Sequence, residues 1–86
     1  MNIEDLRKEL DKIDFELIRL FQERIEISKN IGYYKLKNNM EIFDEKREKF
    51  VIDRNIKNVP SSYQQYVIEF TKFLMTISKE VQKCLK

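Results

Sequence analysis

The sequence predicts an all-α fold of three helices, long, short and long, assembled as an intertwined helical homodimer. Three observations carry that expectation. Apolar residues recur at helical spacing along almost the whole chain. One Gly and one Pro leave too little turn chemistry for an all-β fold. The first helical stretch is also too long for a chain of 86 residues to wrap by itself.

Helix 1 is expected from Asn2 to about Lys37. Leu6, Leu10, Ile13, Leu17, Leu20, Ile27 and Ile31 follow steps of three and four, and the one gap in the series is filled by Arg24. Asn2 is a suitable N-cap, and Glu4 with Asp5 places negative charge in the first turn, where the helix dipole favours it. Gly32 weakens the helix by about 1 kcal/mol relative to Ala, and with no Pro nearby it marks a close approach rather than a stop. Lys37-Asn38-Asn39-Met40 reads as a polar break.

Asp44 is the expected N-cap of helix 2, which runs to about Lys57 with Phe50, Val51, Ile52 and Ile56 as its apolar positions. Asn58 to Ser62, with Pro60, forms the second connection. Ser61 and Gln64 have the spacing of a capping box for helix 3. The seam of helix 3 is Tyr63, Val67, Phe70, Leu74, Ile77, Val81 and Leu85. The whole of 1–86 is expected to be one domain, without room for a separate regulatory site.

Helix length sets the assembly. About 35 residues of helix span roughly 50 Å. A compact monomer of this size has a radius of gyration of about 12 Å and a diameter near 30 Å. A second copy is therefore expected to cover the excess, with long helices paired. The alternative is a kink near Gly32 that folds the helix back into a monomeric bundle.

Composition removes whole classes of chemistry. There is no His and a single Cys, Cys84, so Ser–His and Cys–His catalysis, ordinary zinc sites and an intrachain disulfide are excluded. The chain carries 17 basic and 15 acidic side chains, a net charge of +2, which gives no electrostatic ground for a nucleic-acid or membrane-surface partner. No apolar run approaches the ~18 residues of a membrane span, and the N-terminus lacks an apolar signal, so a cytoplasmic protein is expected. Lys is the default base of this chain, and its few Arg stand out as sites where a planar, bidentate cation could be required.

Several polar residues fall where apolar ones belong. Arg24 lies in the helix 1 seam, and Lys35, eleven residues on, returns to within about 20° of the same face. Arg7 flanks the seam. Asp44, Arg47 and Glu48 share one side of helix 2, and Ser78 and Gln82 stand one turn apart on helix 3. Individually these read as a snorkelling Arg, a capped first turn and two seam-edge polars.

Together they form a pattern. Leu6-Arg7, Glu23-Arg24, Ile31-Gly32-x-x-Lys35, Ile42-x-Asp44-x-x-Arg47-Glu48 and Ser78-x-x-x-Gln82 resemble the all-helical (AroQ-class) chorismate mutases, in order, from Leu6 to Gln82. The resemblance implies a three-helix intertwined dimer that rearranges chorismate to prephenate, toward phenylalanine and tyrosine, with no cofactor. It implies that Arg7 from the partner chain and Arg24 bind the substrate carboxylates. Lys35 and Gln82 would donate to the ether oxygen of the breaking bond. Glu48, with the Asp44 backbone, would hold the ring hydroxyl, while Arg47 and Ser78 complete the lining. Glu41 and Glu45 stand where that family commonly has Pro, and Tyr33 and Tyr34 are bulkier than usual, which bears on loop mobility and affinity.

Two further readings remain at this level. A related isochorismate–pyruvate lyase would share the arginines but eliminate pyruvate. A non-catalytic helical dimerisation module would use the polar residues only to set register, and predicts a dry, packed seam with Arg24 paired internally and no cavity. Counting Arg7, Arg24, Lys35, Arg47, Asp44 and Glu48, the expected site carries a net +2. Arg7 and Arg24 are about 25 Å apart along one helix, so one small dianion meets both only if antiparallel helices of two chains bring them together.

Overall fold

The computed structural model describes residues 2–85, and among them the only regular elements are three helices. These are α1 (Ile3–Lys37), α2 (Glu45–Ile56) and α3 (Ser61–Lys83). No helix among the described residues is long and apolar enough to cross a membrane.

The caps explain the boundaries. Asn2 accepts a hydrogen bond from the Asp5 amide at 2.9 Å, which satisfies one of the free donors of the first turn. At the other end Asn39 takes φ 53°, a left-handed conformation that Asn tolerates. The Met40 amide then donates to the Lys35 carbonyl at 2.8 Å and the Asn39 amide to Leu36 at 3.4 Å, the pair of bonds that closes a Schellman end. Asp44 caps α2 by accepting from the Arg47 amide at 3.0 Å.

The capping box expected at Ser61 and Gln64 does not form. The N-cap of α3 is Pro60, which has no side-chain acceptor, and Ser61 already lies inside the helix. Gln64 instead donates from Nε2 to the Val59 carbonyl at 3.0 Å, tying the helix to the end of the preceding connection.

α1 is unbroken, so Gly32 is not a kink. It is a contact. A Cβ on Gly32 would stand 2.5 Å from Leu85 Cδ1 and 2.9 Å from Gln82 Cγ, so the missing side chain lets α1 and α3 meet. α3 packs against both α1 and α2 and is the centre of the arrangement.

The shape is extended. The radius of gyration is 16.1 Å and the longest dimension 54 Å, well beyond the ~12 Å radius of a compact chain of this length. Every residue from Asn2 to Leu20 is exposed, including the seam residues Leu6, Leu10, Ile13 and Leu17. Among apolar side chains of the described residues only Val51 and Met75 are buried, each 8% exposed. The inward row of α3 is Thr71, Met75 and Gln82, with Ser78 half-buried between them. The predicted seam of α3 is displaced from it by one position: Leu74, Ile77, Val81 and Leu85 are half-buried, while Tyr63 and Phe70 are exposed. Phe50, expected in the α2 core, is exposed too and lies beneath the guanidiniums of Arg47 and Arg54, at 5.3 and 5.7 Å from its ring centre. Apolar periodicity thus marks faces that a single chain does not bury.

Candidate active site

One face of α1, formed by Arg24, Ser28, Ile31 and Lys35, looks across a cleft at the end of the first connection, one side of α2 from Arg47 to Arg54, and the last half of α3. The cleft has a volume of about 270 Å³, enough for one small organic acid. It gathers seven of the eight residues expected from sequence: Arg24, Lys35, Asp44, Arg47, Glu48, Ser78 and Gln82. The eighth, Arg7, is elsewhere. It lies on the exposed first part of α1 and pairs with Glu4 at 3.4 Å.

The donors are held before any ligand arrives. Arg24 Nη1 donates to the Leu74 carbonyl at 3.0 Å and to the Ser78 hydroxyl. Ser78 in turn shares a 2.9 Å hydrogen bond with Ser28, which is buried. Both acceptors of Arg24 are neutral, so neither cancels its charge. Partial burial pulls the Arg24 pKa below that of a free guanidinium, the direction expected when solvation is lost without a counter-charge. Lys35 Nζ donates to the Ile42 carbonyl at 2.9 Å, which anchors the ammonium to the first connection. Gln82 is only 9 % exposed, fixed against Gly32.

The carboxylates have distinct duties. Asp44 caps α2 with its side chain, and its carbonyl accepts the Glu48 amide at 3.0 Å. Glu48 Oε2 lies 2.9 Å from Lys79 Nζ.

Lys79, Arg54 and Ser28 were missed by sequence reasoning. Two of them carried a signal. Ser28 follows Arg24 by four residues on the same helical face, and Arg54 follows Arg47 by seven, which also returns to one face. Lys79 directly follows Ser78 and has no pattern to mark it. The charge sum changes as a result. Five cations (Arg24, Lys35, Arg47, Arg54, Lys79) and two carboxylates line the cleft, a net +3 from one chain before Arg7 is counted. Three of the five Arg in the chain line this cleft.

The arrangement is suited to binding a small anion at several points and to placing donors around a developing negative charge. The cleft contains no His or Cys to act as nucleophile or base near neutral pH. Among the described residues no three His, Cys, Asp or Glu side chains gather as a metal ion would require.

The family model described as chorismate mutase type II matches residues 6–83. A bifunctional chorismate mutase/prephenate dehydratase of Aquifex aeolicus is 38% identical over 55 residues, 64% of this chain and 15% of that protein. A chorismate mutase of Methanocaldococcus jannaschii is 34% identical over 50 residues, 58% of this chain and 50% of that protein. The T-protein of Haemophilus influenzae is 39% identical over 46 residues, 54% of this chain and 12% of that protein. The matched segments therefore span half of these relatives' length at most. No solved structure gives a significant match.

Proposed function

Because the chain belongs to the type II chorismate mutase family, we propose that it rearranges chorismate to prephenate, on the route to phenylalanine and tyrosine, as a cytoplasmic homodimer with two shared active sites. The observation that carries this reading is the convergence of Arg24, Lys35, Glu48, Ser78 and Gln82 from three helices on one cationic cleft.

The reaction asks for little chemistry. The rearrangement is unimolecular, moves no proton to or from the protein and needs no nucleophile or cofactor. The protein must hold the flexible enolpyruvyl arm over the ring, which restrains rotors before the barrier is reached. It must also favour the charge that grows on the ether oxygen as the C–O bond breaks ahead of C–C formation. Lys35 and Gln82 are the donors for that oxygen. The ammonium has three N–H groups, so Lys35 keeps its Ile42 bond while turning another toward substrate. A charged donor contributes more than the neutral amide of Gln82. Arg24 takes a carboxylate, Arg47 and Ser78 complete the lining near the ring, and Glu48, with the backbone at Asp44, takes the ring hydroxyl.

Arg7 of the partner supplies the second carboxylate contact. Support comes from the exposed seam between Leu6 and Leu20 and from the 54 Å length of the molecule, both of which call for a second copy along α1. The antiparallel pairing of two such helices moves Arg7 of one chain toward Arg24 of the other. With Arg7 the site carries +4, and a bound dianion halves that excess.

A dimerisation module with no catalytic role calls for a dry, packed seam with Arg24 paired internally; Arg24 does bond internally, to the Leu74 carbonyl and Ser78, but the seam polars of α1 and α3 line an open cleft rather than a packed seam. The test is direct. Purified protein should consume chorismate, read as loss of its absorbance, and the product should give phenylpyruvate on acidification. A parallel arm with isochorismate should release no pyruvate. Unchanged chorismate would contradict the assignment, and pyruvate release would redirect it to a lyase.

A further inference from the structure

The ion pair between Lys79 and Glu48 is unlike every other among the described residues. Among the described residues the remaining pairs join side chains three or four apart on one helix, and each has both partners well exposed. Such surface pairs contribute little. The Lys79–Glu48 pair joins α3 to α2 across the cleft at 2.9 Å, with the two side chains 29% and 25% exposed. Lys79 Nζ also sits 5.1 Å from the centre of the Phe43 ring, at the entrance to α2. It is thus held on two sides, by a carboxylate and by a π-face.

We propose that Lys79 is a positioning residue for the reaction: it fixes the Glu48 carboxylate where one oxygen accepts the substrate's ring hydroxyl, and neutralises that carboxylate against the two carboxylates of the substrate. This role rests on the chorismate mutase reading above. Lys79 engages Oε2 of Glu48, which leaves Oε1 for the hydroxyl. Without the cation, an ionised Glu48 would face a dianion inside a partly desolvated cleft, and the like charges would repel. The hydroxyl does not take part in bond making or breaking. Its contact is therefore equally strong in the ground state and the transition state, and the effect of Lys79 should fall on KM rather than on kcat.

The structural alternative is a clamp that only ties α3 to the first connection through Phe43. The two roles separate in a small set of variants assayed on the full-length protein with chorismate. Lys79→Met should raise KM about tenfold with kcat changed less than threefold. Adding Glu48→Gln should lower KM again relative to Lys79→Met alone, because a neutral amide takes the hydroxyl without needing a counter-ion. Lys79→Arg should retain most of the wild-type KM. A clamp predicts a lower Tm for Lys79→Met and no recovery from Glu48→Gln. Should Lys79→Met fail to fold, Lys79→Gln carries the same comparison. Turnover by the wild type tests the chorismate mutase reading alone, and its absence would overturn that reading and this role together. Wild-type turnover with KM indifferent to Lys79, or a double variant no better than Lys79→Met, would overturn this role and leave the other standing.

Discussion

Gly32 on α1 and Gln82 on α3 meet so closely that a Cβ on the glycine would lie 2.9 Å from the Gln82 Cγ and 3.2 Å from its Cβ. The contact fixes the helix that carries Lys35, three residues beyond Gly32, against the helix that carries Gln82. The two proposed donors to the ether oxygen are therefore set relative to each other by the absence of one side chain.

Gly32→Ala should consequently separate stability from activity. Helix propensity gains about 1 kcal/mol, which offsets part of the steric cost. Gln82 must still shift, because its Cγ and Cβ belong to the near end of the side chain and Leu85 alone can swing aside. We expect kcat to fall at least tenfold while Tm stays within a few degrees, since small misplacements of catalytic groups are costly. Wild-type kcat in a folded Gly32→Ala protein would remove the contact from the mechanism.

Lys35→Ala should lower kcat by about 10²–10³ and raise KM much less, because its main interaction is with charge that appears only in the transition state. A raised KM with kcat unchanged would assign Lys35 to substrate binding instead.

Gln82→Glu should be active only in acid. The position is nearly buried, so desolvation raises the pKa of a carboxyl placed there. Only the protonated form donates to the ether oxygen. Activity is then present below the raised pKa and is lost as pH rises through it. Equal rates at about pH 5 and about pH 8 would take Gln82 out of the donor role.

The protein should sediment as a dimer wherever it is folded. Leu10, Leu17 and Leu20 are about half exposed in the single chain, and burying that seam against a second copy links assembly to folding. A folded, active monomer would rule out the shared site.

Much of this was legible in the sequence, because helix boundaries and one-faced polar patterns are local. Asn2 and Asp44 cap where their side chains predict, and Arg24 and Lys35 share a face by helical angle alone. The capping box failed because Pro60 pre-empts the N-cap position, a choice between neighbouring residues that spacing does not decide. Lys79 was missed because its meaning depends on α2 lying across from α3, a relation between elements rather than within one. The α3 seam was read one row off for a related reason. Apolar periodicity identifies faces that need covering, and here a single chain leaves most of them uncovered.

The central claim is a site built from two chains, and complementation between inactive variants tests it most directly. Arg7→Ala and Arg24→Ala homodimers should each be nearly inactive, since a lost buried carboxylate contact costs about 2–5 kcal/mol. Co-refolding the two gives heterodimers in which one site lacks both arginines and the other is whole. A statistical mixture is half heterodimer with one working site of two, so about a quarter of wild-type activity should return. If both arginines came from one chain, every site in the mixture would carry a defect. No recovery, with heterodimer confirmed by mass, would contradict the shared site.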